Sequence, residues 1–231
     1  MKKFFFFLFI SIILANAGCN KSNTTPPATK FYLFNLSPGS QSLDFSVNGS
    51  PVKTGLAYGK DSGYFSTSPG IQELQISQTD SSANIIDVNM SLTAGIPYSL
   101  FAIDSVGKLT PAITIDSSTA VKDTTKIRFL NFLIGSPSIS AELTAGTYVA
   151  FFHNRTFNDL QVTNTQNAVF VKLVPNTFTL TLINTSNTDS AVIKTFPGFT
   201  FSPGKIYSLY IYGDYSDTVH YPINANYIQH N

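Results

Sequence analysis

Tryptophan is absent from the 231-residue sequence, and cysteine occurs once, as Cys19. A single cysteine cannot form an intramolecular disulfide, so packing alone has to hold the fold. Without tryptophan or a cysteine pair, the core of an antibody-type immunoglobulin domain is excluded as well. Charged residues make up 12% of the sequence and hydrophobic residues 43%. We therefore expect a packed core with a surface that relies on Ser, Thr and Asn.

Motifs for catalysis and metal binding are also lacking. The three histidines, His153, His220 and His230, have no partner at the spacing of a zinc-binding helix. There is no G-x-S-x-G motif and no phosphate-binding glycine loop. Asp214 and Asp217 could offer oxygen ligands to calcium, but two carboxylates in one loop are more typical of a solvated turn. The sequence thus predicts no enzyme, no metal and no cofactor.

Basic residues form no cluster. Without the first 18 residues, which include Lys2 and Lys3, 12 basic residues (14 − 2) remain against 13 acidic ones, a formal charge of −1. Proteins that bind nucleic acid through its backbone present a basic patch or stripe. The charge pattern therefore predicts that nucleic acid is not a partner.

The N-terminus has the pattern of an export signal. Lys2 and Lys3 precede an uncharged apolar run at residues 4–14. A helix that spans a bilayer needs about 20 apolar residues, and this run is too short. A short apolar run after positive residues is typical of a signal peptide that is removed.

The only cysteine follows two small residues, Ala17 and Gly18, which resemble the lipobox of bacterial lipoproteins. In that class the signal is cut before the cysteine, whose thiol carries a diacylglycerol. The triplet Ala15-Asn16-Ala17 also fits ordinary signal cleavage, which would release a soluble protein. We expect residues 1–18 to be the signal peptide, Cys19 the lipid attachment site and residues 19–29 a polar, flexible tether. Asn20 rather than Asp follows the cysteine, so we expect the outer membrane as the destination.

The remainder of the chain has the pattern of short strands separated by turns. Leu43, Phe45 and Val47 alternate with polar residues, which is typical of a strand with one buried face. Asn48-Gly49 follows directly and favours a type I′ hairpin. No segment keeps a helical apolar period over three turns. The sequence therefore predicts an all-β fold.

The strand pattern occurs twice. Phe34-Asn35-Leu36 has a counterpart in Leu130-Asn131-Phe132, and residues 94–100 have one in residues 203–209. Turn signals every 8 to 12 residues favour a β-sandwich in each copy. We expect β-sandwich domains at residues 30–116 and 126–231 and a linker at 117–125. These are two tandem domains that are immunoglobulin-like in architecture only.

Several short motifs of the first copy resemble one family of exported proteins. They are LDFSVNG at residues 43–49, Gly63-Tyr64-Phe65, Pro69-Gly70 and GIPY at residues 95–98. Together they are similar to domain of unknown function family 4397. The resemblance covers residues 30 to 116 well and the second copy weakly. It implies β-sandwiches, often in tandem, on cell-envelope lipoproteins, and it implies no activity or catalytic residue.

Six of the 11 tyrosines fall between Tyr207 and Tyr227. On a strand, Tyr210 and Tyr212 share the face opposite Leu209 and Ile211. Exposed rings there would stack on sugars or anchor a protein, whereas tyrosine is also a common strand former on half-buried surfaces. The candidate ligand-binding residues are Tyr210, Tyr212, Tyr215 and Tyr221.

These observations favour a non-enzymatic, lipid-anchored protein of the cell envelope that binds a glycan or another protein. The alternative is a structural or assembly component of the cell surface. A glycan-binding protein should expose an aromatic cluster near Asn and Asp. An assembly component should expose a long apolar strand edge or groove.

Overall fold

The computed structural model describes residues 25–81, 83–160, 169–186 and 190–231. The predicted signal peptide and the predicted lipid attachment site, Cys19, lie outside these ranges. The described residues form sixteen β-strands and one short 3-10 turn, Val106–Lys108. This confirms the predicted all-β fold. None of the described segments is a helix of the length and apolarity needed to cross a bilayer.

The first half contains eight strands in two four-stranded sheets. The strands are β1 Thr29–Asn35, β2 Ser42–Val47, β3 Ser50–Ala57, β4 Lys60–Thr67, β5 Gly70–Gln78, β6 Asn84–Leu92, β7 Tyr98–Ile103 and β8 Thr110–Ile115. One sheet has the order β4-β1-β7-β8, and we call it the first inner sheet from its position in the molecule. The first outer sheet has the order β3-β2-β5-β6.

The second half repeats this topology strand for strand. Its strands are β9 Thr125–Ile134, β10 Ile139–Ala145, β11 Tyr148–Arg155, β12 Val171–Leu173, β13 Asn176–Asn184, β14 Val192–Phe201, β15 Ile206–Asp214 and β16 Asn224–Gln229. The second inner sheet is β12-β9-β15-β16, and the second outer sheet is β11-β10-β13-β14. In both halves the first and seventh strands run parallel, and the other pairs are antiparallel. Two tandem β-sandwiches are therefore present, as predicted.

The strand order differs from that of an immunoglobulin domain. Immunoglobulin sheets have the orders ABED and CFG, which place the first strand beside the second. Here the first strand lies between the fourth and the seventh, and the second lies between the third and the fifth. The likeness to immunoglobulins is therefore one of architecture, a pair of packed antiparallel sheets.

Local sequence signals explain the turns. Asn48 and Gly49 have φ angles of 50° and 73°, as a type I′ turn requires, which confirms the predicted hairpin between β2 and β3. Asn35 and Asn131 occupy equivalent positions and are both buried. The side-chain oxygen of each Asn accepts a hydrogen bond from the backbone amide two residues later. The side-chain amide donates to a carbonyl at the end of the third strand of the same half, that of Leu56 for Asn35 and that of Arg155 for Asn131. The repeated motif thus holds the same loop in both halves.

The two inner sheets pack against each other, so the molecule has four layers. Each sandwich has its own core, and a third buried cluster joins the faces that the inner sheets turn away from those cores. The third cluster contains Phe34, Leu36, Phe101, Ile103 and Ala112 from the first half and Leu130, Phe132, Tyr210 and Ile228 from the second. All six residues of β7 are buried for this reason. The inner sheets are covered on both faces.

Candidate functional site

Strand β15, which carries the predicted tyrosine face, lies in the middle of the second inner sheet. It pairs with β9 on one side and β16 on the other. Leu209 and Ile211 are in the core of the second sandwich. Tyr210 is on the opposite face, as the strand alternation predicts. Sequence reasoning thus assigned the two faces of this strand correctly.

Tyr210, one of the candidate ligand-binding residues, is buried and not exposed. Its side chain belongs to the cluster between the inner sheets, and the residue is 4% exposed. Its ring lies 5.7 Å from that of Phe34 and 5.8 Å from that of Phe101. Burial also raises the pKa of Tyr210. The physical reason is that the first inner sheet covers the face that would be the outer surface of an isolated second sandwich.

Two further predicted residues, Tyr212 and Tyr221, pack against the first half. Both rings lie edge-on to that of Tyr58, at 5.8 and 5.9 Å. Tyr212 also packs closely on Gly59: its hydroxyl lies 3.2 Å from the position that a Cβ would take there. Gly59 has a φ of 74°, in the left-handed region that favours glycine. Burial raises the pKa of Tyr58, whose hydroxyl is buried without a hydrogen-bond partner among the described residues. These three rings form a second contact between the halves.

Tyr215 is the predicted binding residue that reaches solvent, with 37% of its surface exposed. It directly follows Asp214, the last residue of β15, in the loop that also carries Asp217. Asp217 lies 2.9 Å from the His220 ring, and hydrogen bonds from His220 lower the pKa of Asp217. Within the described ranges, no three His, Cys, Asp or Glu side chains come close enough to hold a metal ion.

Buried polar side chains lie between the two inner sheets, and sequence reasoning missed them. Asp116, directly after β8, forms an ion pair with Arg128 of β9 at 2.5 Å. The Asp116 carboxylate also accepts hydrogen bonds from Tyr64 at 2.6 Å and Ser99 at 2.7 Å. The linked residues, which we call the interface polar cluster, are Tyr64, Ser99, Thr114, Asp116, Arg128, Ser208 and His230.

His230 completes the interface polar cluster. Its Nδ1 lies 2.7 Å from the Tyr64 hydroxyl, and its Nε2 lies 2.7 Å from the Ser208 hydroxyl. Because Tyr64 gives its one hydrogen to Asp116, Nδ1 carries a hydrogen and donates it to Tyr64. Ser208 accepts from Arg128 Nε at 2.6 Å and donates to the bare Nε2. Burial lowers the pKa of His230 to about 4, so the ring is neutral at pH 7.

A hydroxyl, an imidazole and a carboxylate that lie next to one another suggest a catalytic triad, but their geometry is not that of a triad. In a serine hydrolase the hydroxyl faces the substrate and the carboxylate contacts the imidazole directly. Here Ser208 is fully buried, and Tyr64 lies between His230 and Asp116. The Ser208 hydroxyl is enclosed between the two halves and does not face solvent. The interface polar cluster therefore joins the two halves.

An apolar stripe lies on the outer face of β11, the edge strand of the second outer sheet. Val149 and Phe151 are 45% and 44% exposed. The Phe151 ring is stacked on that of His153, with the centroids 5.1 Å apart. β11 pairs with β10, and no other described strand lies along its outer edge. We call Val149, Phe151 and His153 the edge stripe.

Residues 29–142 match the model of a protein family described as Domain of unknown function (DUF4397). This part of the chain is a member of the DUF4397 family. The DUF4397 match covers all eight strands of the first half and continues through β9 into β10. The resemblance predicted from the sequence motifs is thereby confirmed. No curated protein matches the sequence significantly.

Proposed function

We propose that this protein is a non-enzymatic, lipid-anchored protein of the outer membrane that binds a protein ligand along β11. The observation that carries the proposal is the edge stripe of Val149, Phe151 and His153. It combines exposed apolar side chains with a strand edge along which no second described strand pairs. An extended segment of a partner adds to such an edge through main-chain hydrogen bonds, and side-chain contacts give specificity.

The other edges of the two outer sheets carry features that discourage strand pairing. β3 contains Pro51 and Lys53, and β14 contains Lys194 and Pro197. β6 has Asp87 next to its central residue. Prolines and charges are common means of preventing unwanted pairing at sheet edges.

β11 lacks these features from Tyr148 to Asn154, since these seven residues include no proline and no Asp, Glu, Lys or Arg. Its one charged residue, Arg155, is buried and paired with Asp159 at 2.5 Å. The edge of β11 is therefore chemically suited to accept a strand, whereas its equivalent in the first half, β3, is not. This difference between two copies of one fold favours a function specific to the second copy.

A protein ligand is favoured over a glycan by the position of the tyrosines. Sugar recognition needs aromatic rings with an accessible face. Tyr210 is buried, and Tyr212 and Tyr221 pack on the first half. Tyr215 is the most exposed of the predicted binding residues. Most of the tyrosines that could have formed the aromatic cluster of a glycan-binding protein thus pack between the two halves.

The sequence supports the lipid anchor. A segment of about ten residues between Cys19 and the start of β1 reaches at most about 35 Å when extended. Residues 25–28 of this segment are exposed. A tether of this length would let the folded part stand off a membrane, so that the edge stripe stays accessible.

Site-specific photo-crosslinking tests the proposal in cells. A photoreactive amino acid at Phe151 is expected to give a discrete protein adduct, whereas one at Ile71, which is 75% exposed on the first outer sheet, is not. The adduct should disappear when Val149 is replaced by Lys, because a charged side chain discourages pairing at a strand edge. Equal labelling from both positions, or an adduct that survives Val149→Lys, would contradict the proposal.

The alternative function, a component of a surface assembly, would use the same edge with a second copy of the chain. Antiparallel pairing of two β11 strands about Phe151 places His153 of each strand near Val149 of the other and brings no like charges together. Analytical ultracentrifugation of the purified protein separates the two functions. A dimer that Phe151→Lys dissociates supports assembly, and a monomer that still gives the crosslinked adduct supports a different partner.

A further inference from the structure

The interface polar cluster links strands of both inner sheets, and its hydrogen bonds depend on protonation. Tyr64 lies on β4 and Asp116 follows β8 in the first half. Arg128 lies on β9, Ser208 lies on β15 and His230 follows β16 in the second half. The His230 side chain is 1% exposed and contacts residues of both halves.

We propose that His230 is an acid-operated latch, such that proton uptake by His230 loosens the contact between the two inner sheets while both outer sheets stay folded. The closed arrangement needs the neutral imidazole, and the opened arrangement accepts the imidazolium because water reaches it.

The charges around His230 support this inference. Three groups face the ring: the Asp116 carboxylate, the Arg128 guanidinium on β9 and the Tyr64 hydroxyl on β4. The Asp116 carboxylate lies 3.6 Å from Nδ1 of the ring. Asp116 and Arg128 already neutralise each other as an ion pair. A proton on His230 would therefore leave one unbalanced positive charge in a buried site, and an unpaired buried charge is strongly unfavourable.

The hydrogen bonds give a second, independent reason. Ser208 accepts from Arg128 Nε and donates its own hydrogen to His230 Nε2. Protonated His230 would carry a hydrogen on Nε2, so the Ser208 hydroxyl would face two donors and lose the acceptor of its own hydrogen. The hydrogen bonds of the cluster therefore require the neutral form of His230.

The direction and range of the pH effect follow from the pKa of His230. Burial lowers this pKa from 6.5 to about 4. Stability from a group with a lowered pKa is present above the higher value and is lost as the pH falls toward the lower one. Each pH unit between 6.5 and 4 thus favours the opened arrangement by up to tenfold, and the total approaches roughly 300-fold below pH 4.

Hydrogen–deuterium exchange of the full mature protein between pH 7 and pH 4.5 tests the latch, after correction for intrinsic exchange rates. Protection of β7, β9 and β15 is expected to fall by up to roughly 100-fold over the two units below 6.5. Protection of β5 and β13 in the outer sheets should stay within threefold. If protection in inner and outer sheets falls together, the protein unfolds globally and the latch is refuted.

Two variants assign the effect to His230. His230→Gln keeps a hydrogen-bonding group without a titration in this range, so the pH dependence of the inner sheets should disappear. His220→Gln, at an exposed position, should keep it. An unchanged profile in His230→Gln would overturn the proposal. If His230→Gln does not fold, the NMR signals of the histidine rings in the unaltered protein provide the test. A pKa of His230 near 6.5, measured while the inner sheets remain protected, would also refute the latch.

Discussion

Replacement of Tyr210 by Ala distinguishes a packing tyrosine from a binding tyrosine. The ring is 4% exposed and lies between Phe34 and Phe101 of the first half. Removing it leaves a cavity where the two inner sheets meet. Tyr215→Ala is the matched control, because Tyr215 is 37% exposed beyond the end of the same strand.

The expected loss can be estimated from comparable substitutions. Truncating a buried aromatic residue to Ala lowers the free energy of unfolding by about 3 to 5 kcal/mol. The two ring contacts of Tyr210 place it in the upper part of that range, at about 4 kcal/mol. A surface substitution changes stability by about 0.5 kcal/mol or less. The two variants should therefore differ by about 3.5 kcal/mol.

Urea unfolding, followed by circular dichroism, measures this difference. With a slope of about 2.5 kcal/mol per molar urea, the midpoint for Tyr210→Ala should fall by about 1.6 M. The midpoint for Tyr215→Ala should move by about 0.2 M or less. Equal, small shifts in both variants would refute the buried position of Tyr210. They would restore the hypothesis that this ring belongs to an open binding surface.

Three further predictions follow from the interface and the N-terminus. Asp116→Ala should destabilise the protein by about 3 to 5 kcal/mol in urea unfolding, because it leaves Arg128 buried without its carboxylate, and Asp123→Ala on an exposed turn should not. Fragments 25–120 and 121–231, expressed separately, should elute as a 1:1 complex in size-exclusion chromatography, since each alone exposes its half of the third core; independent monomers would contradict this. Cys19→Ala should move the protein from the membrane fraction to the soluble exported fraction, and unmodified protein starting at Gly18 in mass spectrometry would argue against lipidation.

The sequence predicts the strands well because their signals are local. The alternation of Leu43, Phe45 and Val47 and the pair Asn48-Gly49 need no information from the remainder of the chain. The repeated motif around Asn35 and Asn131 likewise predicts the duplicated fold. Each of these signals is contained within a few residues.

The packing of the two halves could not be derived from strand alternation alone. Alternation assigns Tyr210 to a face, but it does not say what covers that face. A signal was present in the near-continuous apolar runs at Tyr98–Ile103 and at residues 129–134 of β9, since a strand buried on both faces loses its polar alternation. The interface polar cluster had no such signal. Asp116 and His230 are more than 100 positions apart in the chain, and it is the packing of one sandwich on the other that brings them together.

The two halves meet through equivalent positions, and their differences make them complementary. Asp116 and His230 each follow the eighth strand of their half. The Asp116 backbone amide donates to the carbonyl of Pro97, just before β7, and the His230 amide donates to that of Ile206, at the start of β15, both at 2.9 Å. In a symmetric pair of first halves, Asp116 would face a second Asp116 with no Arg128 to neutralise it, because Tyr32 occupies the position of Arg128. In a symmetric pair of second halves, the cluster would hold two arginines and no carboxylate. A buried arrangement with balanced charges requires one half of each kind, so divergence at these few positions specifies the pairing of the two sandwiches.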